Sequence, residues 1–181
     1  MSNSIFLDTL SGKKTNRPPV WFMRQAGRIL PSYQKLKLTH NFDSLMKNKD
    51  LASKVTLMPI NDLGVDAAIL FSDILIIPES MGMSLEFTNN GPKFYNPIVK
   101  SGSNSFSFDP SKLDHVYSNI KQIKKDNSSI PLIGFCGGPL TTFLFMFRGN
   151  EKDKSFNNAL KFFYSHKKES LKILEQITEA S

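Results

Sequence analysis

The chain has 181 residues, 40% of them hydrophobic and 22% charged, which is enough for one domain with a core and too apolar for disorder throughout. Its formal net charge is +7, from 23 basic and 16 acidic residues. Only four of the basic residues are Arg, and the lysines are scattered with no alternation of basic and aromatic residues; this fits a soluble surface or an acidic small-molecule ligand better than a nucleic-acid platform. A single cysteine excludes a disulfide framework within the chain, the N-terminal stretch does not read as a signal peptide, and no segment approaches the ~20 apolar residues of a membrane span, so a cytoplasmic protein is expected.

In chain order, residues 5–10 predict a short helix and residues 13–19, ending in two prolines, a loop. The run VWFM at 20–23 reads as a buried strand, giving way to RQAGR at 24–28. Residues 43–63 read as helical, with Asp43 and Asp50 as N-caps, Pro59 as a kink or break and Gly64 as terminator. VDAAILF at 65–71 is a second apolar strand, stopping at Ser72-Asp73. The pieces SLEF, FYNPIV and FSF within 84–108 suggest a hairpin or a covering loop. Residues 110–125 carry Leu113, Val116, Ile120 and Ile123 at helical spacing. PLIGF at 131–135 is a third buried strand, running into CGGP at 136–139. From Ser155 one long amphipathic helix is expected, with Phe156, Leu160, Phe163, Leu171, Leu174 and Ile177 on its apolar side.

Strands that alternate with helices imply parallel pairing, and continuous apolar runs imply burial on both faces. Each strand ends on a polar segment, RQAGR, SD or CGGP, and in parallel α/β folds the chemistry sits at the carboxyl ends of strands. Two of the four arginines, Arg24 and Arg28, lie within five residues. A guanidinium fork binds carboxylate or phosphate bidentately, and Ala26 and Gly27 between them let a backbone approach an anion. The competing reading is a surface loop whose arginines pair with Asp or Glu. Asp73 is either a helix N-cap or a functional carboxylate at a strand end. Gly137, Gly138 and Pro139 form either a plain turn or a phosphate cradle. Cys136 reads as a small core residue, and His40, His115 and His166, without metal-ligand spacing, as surface residues.

These segments resemble a known family. PPVWFMRQAGRILPSY at 18–33 and DAAILFSDILIIPESMGM at 66–83 look like the two signatures of the uroporphyrinogen decarboxylases, with NFDSLMKNKDLASKVTLMPINDLG between them, GP at 91–92 and PLIGFCGGP at 131–139 in matching positions. The resemblance covers residues 4–181. It implies an α/β fold, the N-terminal portion of a (β/α)8 (TIM) barrel over 1–181. It also implies a carboxy-lyase that removes CO2 from the four acetate side chains of uroporphyrinogen III, giving coproporphyrinogen III in heme biosynthesis. No metal or organic cofactor, no nucleic acid and no membrane are implied, and the family usually forms homodimers. The family's substrate-binding residues fall on Arg24, Gln25, Ala26, Gly27 and Arg28. Its central aspartate, which takes hydrogen bonds from pyrrole N–H groups, falls on Asp73, making Asp73, Arg24 and Arg28 the catalytic candidates.

The sequence departs from the family in two ways. Leu140-Thr141 stands where the family has Trp-Thr, and Phe145 occupies the position of a substrate-facing tyrosine. An eight-fold barrel needs ~250 residues, whereas three barrel strands are read here, and the last helix stops at ITEAS without a capping signal. The chain is therefore expected to be a portion, inactive alone. Alternatives are a methyltransferase of the same superfamily, whose relatives use His and Cys zinc ligands from a later half, a non-catalytic binding remnant, and a basic nucleic-acid binder.

Overall fold

A short parallel pair of strands, in which the Ala68 and Leu70 N–H groups donate to the Pro131 and Ile133 carbonyls, lies next to the residue that anchors the first group of candidate residues. The structure is a computed structural model and describes residues 5–88, 91–98, 106–149 and 155–181. It divides into two compact units, the first comprising the described residues of Met1–Ser72 with His115–Phe135, the second those of Asp73–Asp114 with Cys136–Ser181.

In the first unit, helix α1 (Ile5–Leu10) is followed by the expected loop, then by α2 (Pro31–Lys37), α3 (Phe42–Lys47) and α4 (Lys49–Leu63). The helix expected over 43–63 is thus two. The caps are Asn41, whose side chain accepts the Ser44 N–H, and Asn48, which accepts from Asp50 and Leu51 N–H. Asp43 and Asp50 sit inside the first turns they were expected to cap; an extended backbone at Asn48 (φ −87°, ψ 117°) ends one helix and starts the next. Helix α4 runs through Pro59 to Gly64, whose left-handed φ of 67° lets its N–H reach the Ile60 carbonyl.

Strand β1 (Ala68–Ile69) then lies in the run expected to be extended. It pairs in parallel with β4 (Leu132–Ile133), Ala68 opposite Leu132 and Ile69 opposite Ile133. Helix α6 (Asp114–Asp126), all but its first residue in this unit, precedes β4. The core gathers Leu30, Tyr33, Leu45, Met46, Val55 and Phe71. The Phe71 ring meets those of Tyr33 and Phe42 edge-on, and its N–H donates to Thr56 Oγ1 at 3.0 Å. The buried Asn119 donates to the Met46 carbonyl at 2.7 Å, tying α6 to α3.

Two strand expectations need correction. VWFM is neither strand nor buried: Val20, Trp21, Phe22 and Met23 are 41, 41, 53 and 81% exposed. Pro18 and Pro19 have no N–H to donate, and the Val20 N–H goes to the Asp66 carboxylate; one backbone bond, Asp66 N–H to the Val20 carbonyl, is left, too little for a ladder. PLIGF is strand only at Leu132 and Ile133, which are half-buried, and Phe135 is exposed.

The second unit contains α5 (Ile76–Ser80), the antiparallel hairpin of β2 (Leu85–Thr88) and β3 (Gly91–Phe94), a 3-10 turn (Pro110–Leu113), and helices α7 (Pro139–Arg148), α8 (Asn157–Ser165) and α9 (Lys167–Ala180). A hairpin was one of two expectations for 84–108, but its second strand is GPKF at 91–94; of the described residues of FYNPIV only Phe94 is in it. FSF is not a strand: Ser107 and Asp109 donate to the Met81 and Ser80 carbonyls of the α5 end. Residues 89–90 and 99–105 of that stretch lie outside the described residues. The single helix expected from Ser155 is broken at His166 (φ −121°, ψ 49°), where Ser165 Oγ turns back onto the Lys161 carbonyl. The break shifts the buried face to Ala159, Ser170, Ile173 and Ile177 and leaves Leu171 exposed. Phe143 and Met146 of α7 complete this core, the Phe143 ring lying 5.7 Å from that of Phe163.

Candidate functional site

The 24–28 segment of the first unit is built as two consecutive tight turns. The Phe22 carbonyl accepts the Gln25 N–H at 3.1 Å, enclosing Met23 and Arg24. Arg24 has φ 60°, at the turn position where a type II turn favours glycine. Left-handed backbone costs a residue with a Cβ about 1–2 kcal/mol. The Gly27 carbonyl accepts the Leu30 N–H at 3.0 Å, and Gln34 Nε2 donates to the Arg28 carbonyl at 2.7 Å. At Gly27 a Cβ would stand 3.3 Å from the Arg24 carbonyl, so a side chain there would press on the turn.

Gln25 is 1% exposed. Its Oε1 accepts the Phe22 N–H at 3.0 Å and its Nε2 donates to the Ala67 carbonyl at 2.9 Å, one residue before β1. The side chain expected to touch a ligand is therefore buried against backbone.

Arg24 and Arg28, by contrast, are exposed, and among the described residues neither guanidinium has a hydrogen bond or a carboxylate partner. The N–H groups of Ala26 and Gly27 likewise donate to no protein acceptor among the described residues. Burial pushes the Tyr33 phenol up and the charge of Arg28 pulls it back, so that guanidinium lies within electrostatic reach of the ring. Two cationic forks and unclaimed N–H donors on one short loop are what a carboxylate-bearing ligand requires.

Arg17 behaves differently. Its Nη1 and Nη2 grip Asp66 Oδ2 and Oδ1, each at 2.7 Å, and Asp66 Oδ2 also takes the Val20 N–H at 2.7 Å. The Arg17 hydrogen bonds hold the Asp66 carboxyl below the usual carboxylate range, and the Val20 N–H adds to this. This clamp fixes the chain entering the 24–28 loop and was missed in the sequence. A signal existed: Asp66 is an acidic residue inside an otherwise apolar run.

The other candidates belong to the second unit. Asp73 is half-buried and its Oδ1 accepts the Leu75 N–H at 2.8 Å, shaping the turn into α5; the N-cap of that helix is Leu75, not Asp73. Gly137 is buried, and a Cβ on it would collide with Thr142 Oγ1 and stand 3.1 Å from Ile74 Cβ. Close packing explains this glycine without a phosphate. Gly138 is the N-cap of α7 and Pro139 its first residue, as the turn reading predicts. Cys136 is an exposed thiol rather than a core residue, because it sits past the end of β4. The half-buried Phe145 ring meets Phe156 edge-on at 5.4 Å, and the Arg148 guanidinium lies 4.8 Å from the centres of both rings. His166 is exposed, whereas Nε2 of His115 is buried, so His115 is not the surface residue expected. No group of three or more metal-ligating side chains occurs among the described residues, and none of their helices is long and apolar enough to cross a membrane.

The family model for uroporphyrinogen decarboxylase (URO-D) matches residues 1–181. The chain belongs to the uroporphyrinogen decarboxylase family. A uroporphyrinogen decarboxylase from Sulfurimonas denitrificans is 45% identical over 98% of the chain and 53% of its own length. One from Aquifex aeolicus is 39% identical over 98% of the chain and 52% of its length. The chain thus spans about half the length of the curated relatives it matches. A methyltransferase from Methanosarcina mazei superposes with a TM-score of 0.70 over 99% of the chain and 52% of its own, at 19% identity, a likeness of fold.

Proposed function

We propose that this chain supplies the anion-binding loop and the central carboxylate of a cytoplasmic uroporphyrinogen decarboxylase. The fold would be the first portion of a (β/α)8 barrel, and the working enzyme a homodimer. The observation that carries the reading is the pair of guanidinium groups, Arg24 and Arg28, without a hydrogen-bond or carboxylate partner among the described residues, beside the N–H groups of Ala26 and Gly27, likewise unclaimed there, while the neighbouring Arg17 is paired. A surface loop using its arginines structurally would have paired them.

The chemistry asks for little else. Each event turns an acetate arm of uroporphyrinogen III into a methyl group. A proton adds to the pyrrole ring, the bond to CO2 breaks, and its electron pair quenches the ring cation. A second proton then reaches the methylene carbon as the ring loses the first. The ring is its own electron sink, so the reaction as proposed calls on neither metal nor organic cofactor. Arg24 and Arg28 would hold the carboxylates that do not react, and Asp73 would accept from pyrrole N–H groups and stabilise the cation.

The test is binding of uroporphyrin, an oxidised analogue with the same carboxylates, to Arg28→Ala at the length the cell makes the protein. A hydrogen bond to a charged group is worth about 1.5–3 kcal/mol, so the dissociation constant is expected to rise roughly tenfold or more. An unchanged value in a folded variant removes Arg28 from the site.

A further inference from the structure

Gln25 is the buried polar side chain on which the 24–28 loop turns. We propose that Gln25 is a positioning residue: its carboxamide ties this loop to the strand entering β1 and keeps Arg24 in its left-handed conformation, so that both guanidinium groups are presented in one fixed arrangement. The inference rests on the proposed reading of Arg24 and Arg28 as carboxylate-binding groups, and it concerns what aims them.

Three observations converge. Phe22 and Gln25 are joined twice, by the Gln25 N–H to the Phe22 carbonyl and by the Phe22 N–H to Gln25 Oε1. That double link closes a ring around Met23 and Arg24, and Arg24 is one of two residues other than glycine with positive φ among those described. Strained backbone persists where its surroundings over-determine it, and here the over-determining group is the carboxamide. The third bond, Gln25 Nε2 to the Ala67 carbonyl, fixes the ring to the residue that leads into β1. The amide orientation follows from its partners: an N–H needs the oxygen and a carbonyl needs the NH2. The two test substitutions each lose part of this pair of contacts. Glutamate accepts but cannot donate to Ala67, and methionine of similar length does neither well. Met23, inside that ring, is 81% exposed.

The experiment compares the parent with Gln25→Met and Gln25→Glu, at native length. Trypsin cleavage after Arg24 and Arg28 under native conditions is expected to speed up in both variants, because the bonds at risk lie in a loop no longer pinned. With uroporphyrinogen, KM is expected to rise roughly tenfold while kcat stays within about threefold, since a loop that only holds non-reacting carboxylates contributes binding common to ground and transition states. A general loss of fold would instead lower kcat and the active fraction together. Unchanged cleavage and an unchanged KM in folded variants, with Arg28→Ala still impaired, overturn the positioning role and leave the functional reading standing. Faster cleavage in a protein whose parent does not bind uroporphyrin sinks the functional reading and keeps the loop anchor. If neither variant folds, amide hydrogen exchange in the parent decides. The Phe22 N–H, held by the Gln25 side chain, is expected to exchange far more slowly than that of Met23; equal rates overturn the proposal.

Discussion

Asp73→Asn and Asp73→Ala separate two jobs that one carboxylate could hold. Asp73 Oδ1 accepts the Leu75 N–H at 2.8 Å. Asparagine keeps an oxygen in that place, so the turn into α5 should survive and stability should move by no more than ~0.5 kcal/mol, the usual scatter for a benign change. Alanine removes the acceptor, and losing one such hydrogen bond costs about 0.5–1.5 kcal/mol. For a protein of this size that lowers Tm by about 1–6 °C, at 2–4 °C per kcal/mol. Turnover is expected to respond otherwise. A preorganised group facing developing charge accounts for about 10²–10³ in kcat, or roughly 2.7–4 kcal/mol, and both substitutions abolish the charge. Both should therefore drop kcat by a similar factor, with KM altered much less, because the pyrrole cation exists only near the transition state. The assay is coproporphyrinogen formation from uroporphyrinogen under anaerobic conditions, with melting curves on the same preparations. If Asp73→Asn turns over like the parent while Asp73→Ala loses only stability, Asp73 is a turn residue and the electrostatic role is refuted.

Gly137→Ala is expected to destabilise by about 1–3 kcal/mol through overpacking against Thr142 and Ile74. Thr142→Ala in the same chain should recover part of that, and a double-mutant cycle by denaturant unfolding measures the coupling. Asp66 has its carboxyl held low in the folded state, so its contribution is present above the ordinary aspartate value near ~4 and fades as pH falls through the lowered folded value. Asp66→Asn should therefore lose stability relative to the parent at pH 6 and lose less than the parent between pH 6 and pH 3; equal slopes would remove the clamp from the ledger of acid stability. Residues 1–181 expressed alone are expected to self-associate and to make no coproporphyrinogen, given Trp21, Phe22 and Met23 on the surface and a length about half that of the relatives. Size exclusion and a turnover assay check this, and a monodisperse active preparation would prove it wrong.

Helices were legible where spacing and a terminator agreed, as at Gly64, and from spacing alone in the 110–125 stretch, whose first four residues form the 3-10 turn. They were misread where capping chemistry lay just upstream. Asn41 and Asn48 each stand two residues before the aspartates chosen as caps, and both types cap well, so only the backbone geometry separates them. VWFM carries the composition of a strand, but pairing is a property of two segments, and the prolines before it with the Asp66 carboxylate opposite it take away the donors a ladder needs. The candidate loop was singled out by its two arginines, the small residues between them, its place after an apolar run and its likeness to a family signature. Whether Gln25 faced a ligand or the backbone was not legible, because a carboxamide suits either, and the partner that decides it, the Ala67 carbonyl, is 42 positions away.

The left-handed backbone at Arg24 sets two selections against each other. A screen for heat resistance alone would draw position 24 towards glycine, which adopts that conformation freely, or towards asparagine. If Arg24 holds a substrate carboxylate as proposed, a screen for growth dependent on tetrapyrrole supply would draw it back to arginine, accepting a less stable fold for a charge held in that place. Variant libraries of this chain should therefore split at that position according to what they were asked to survive.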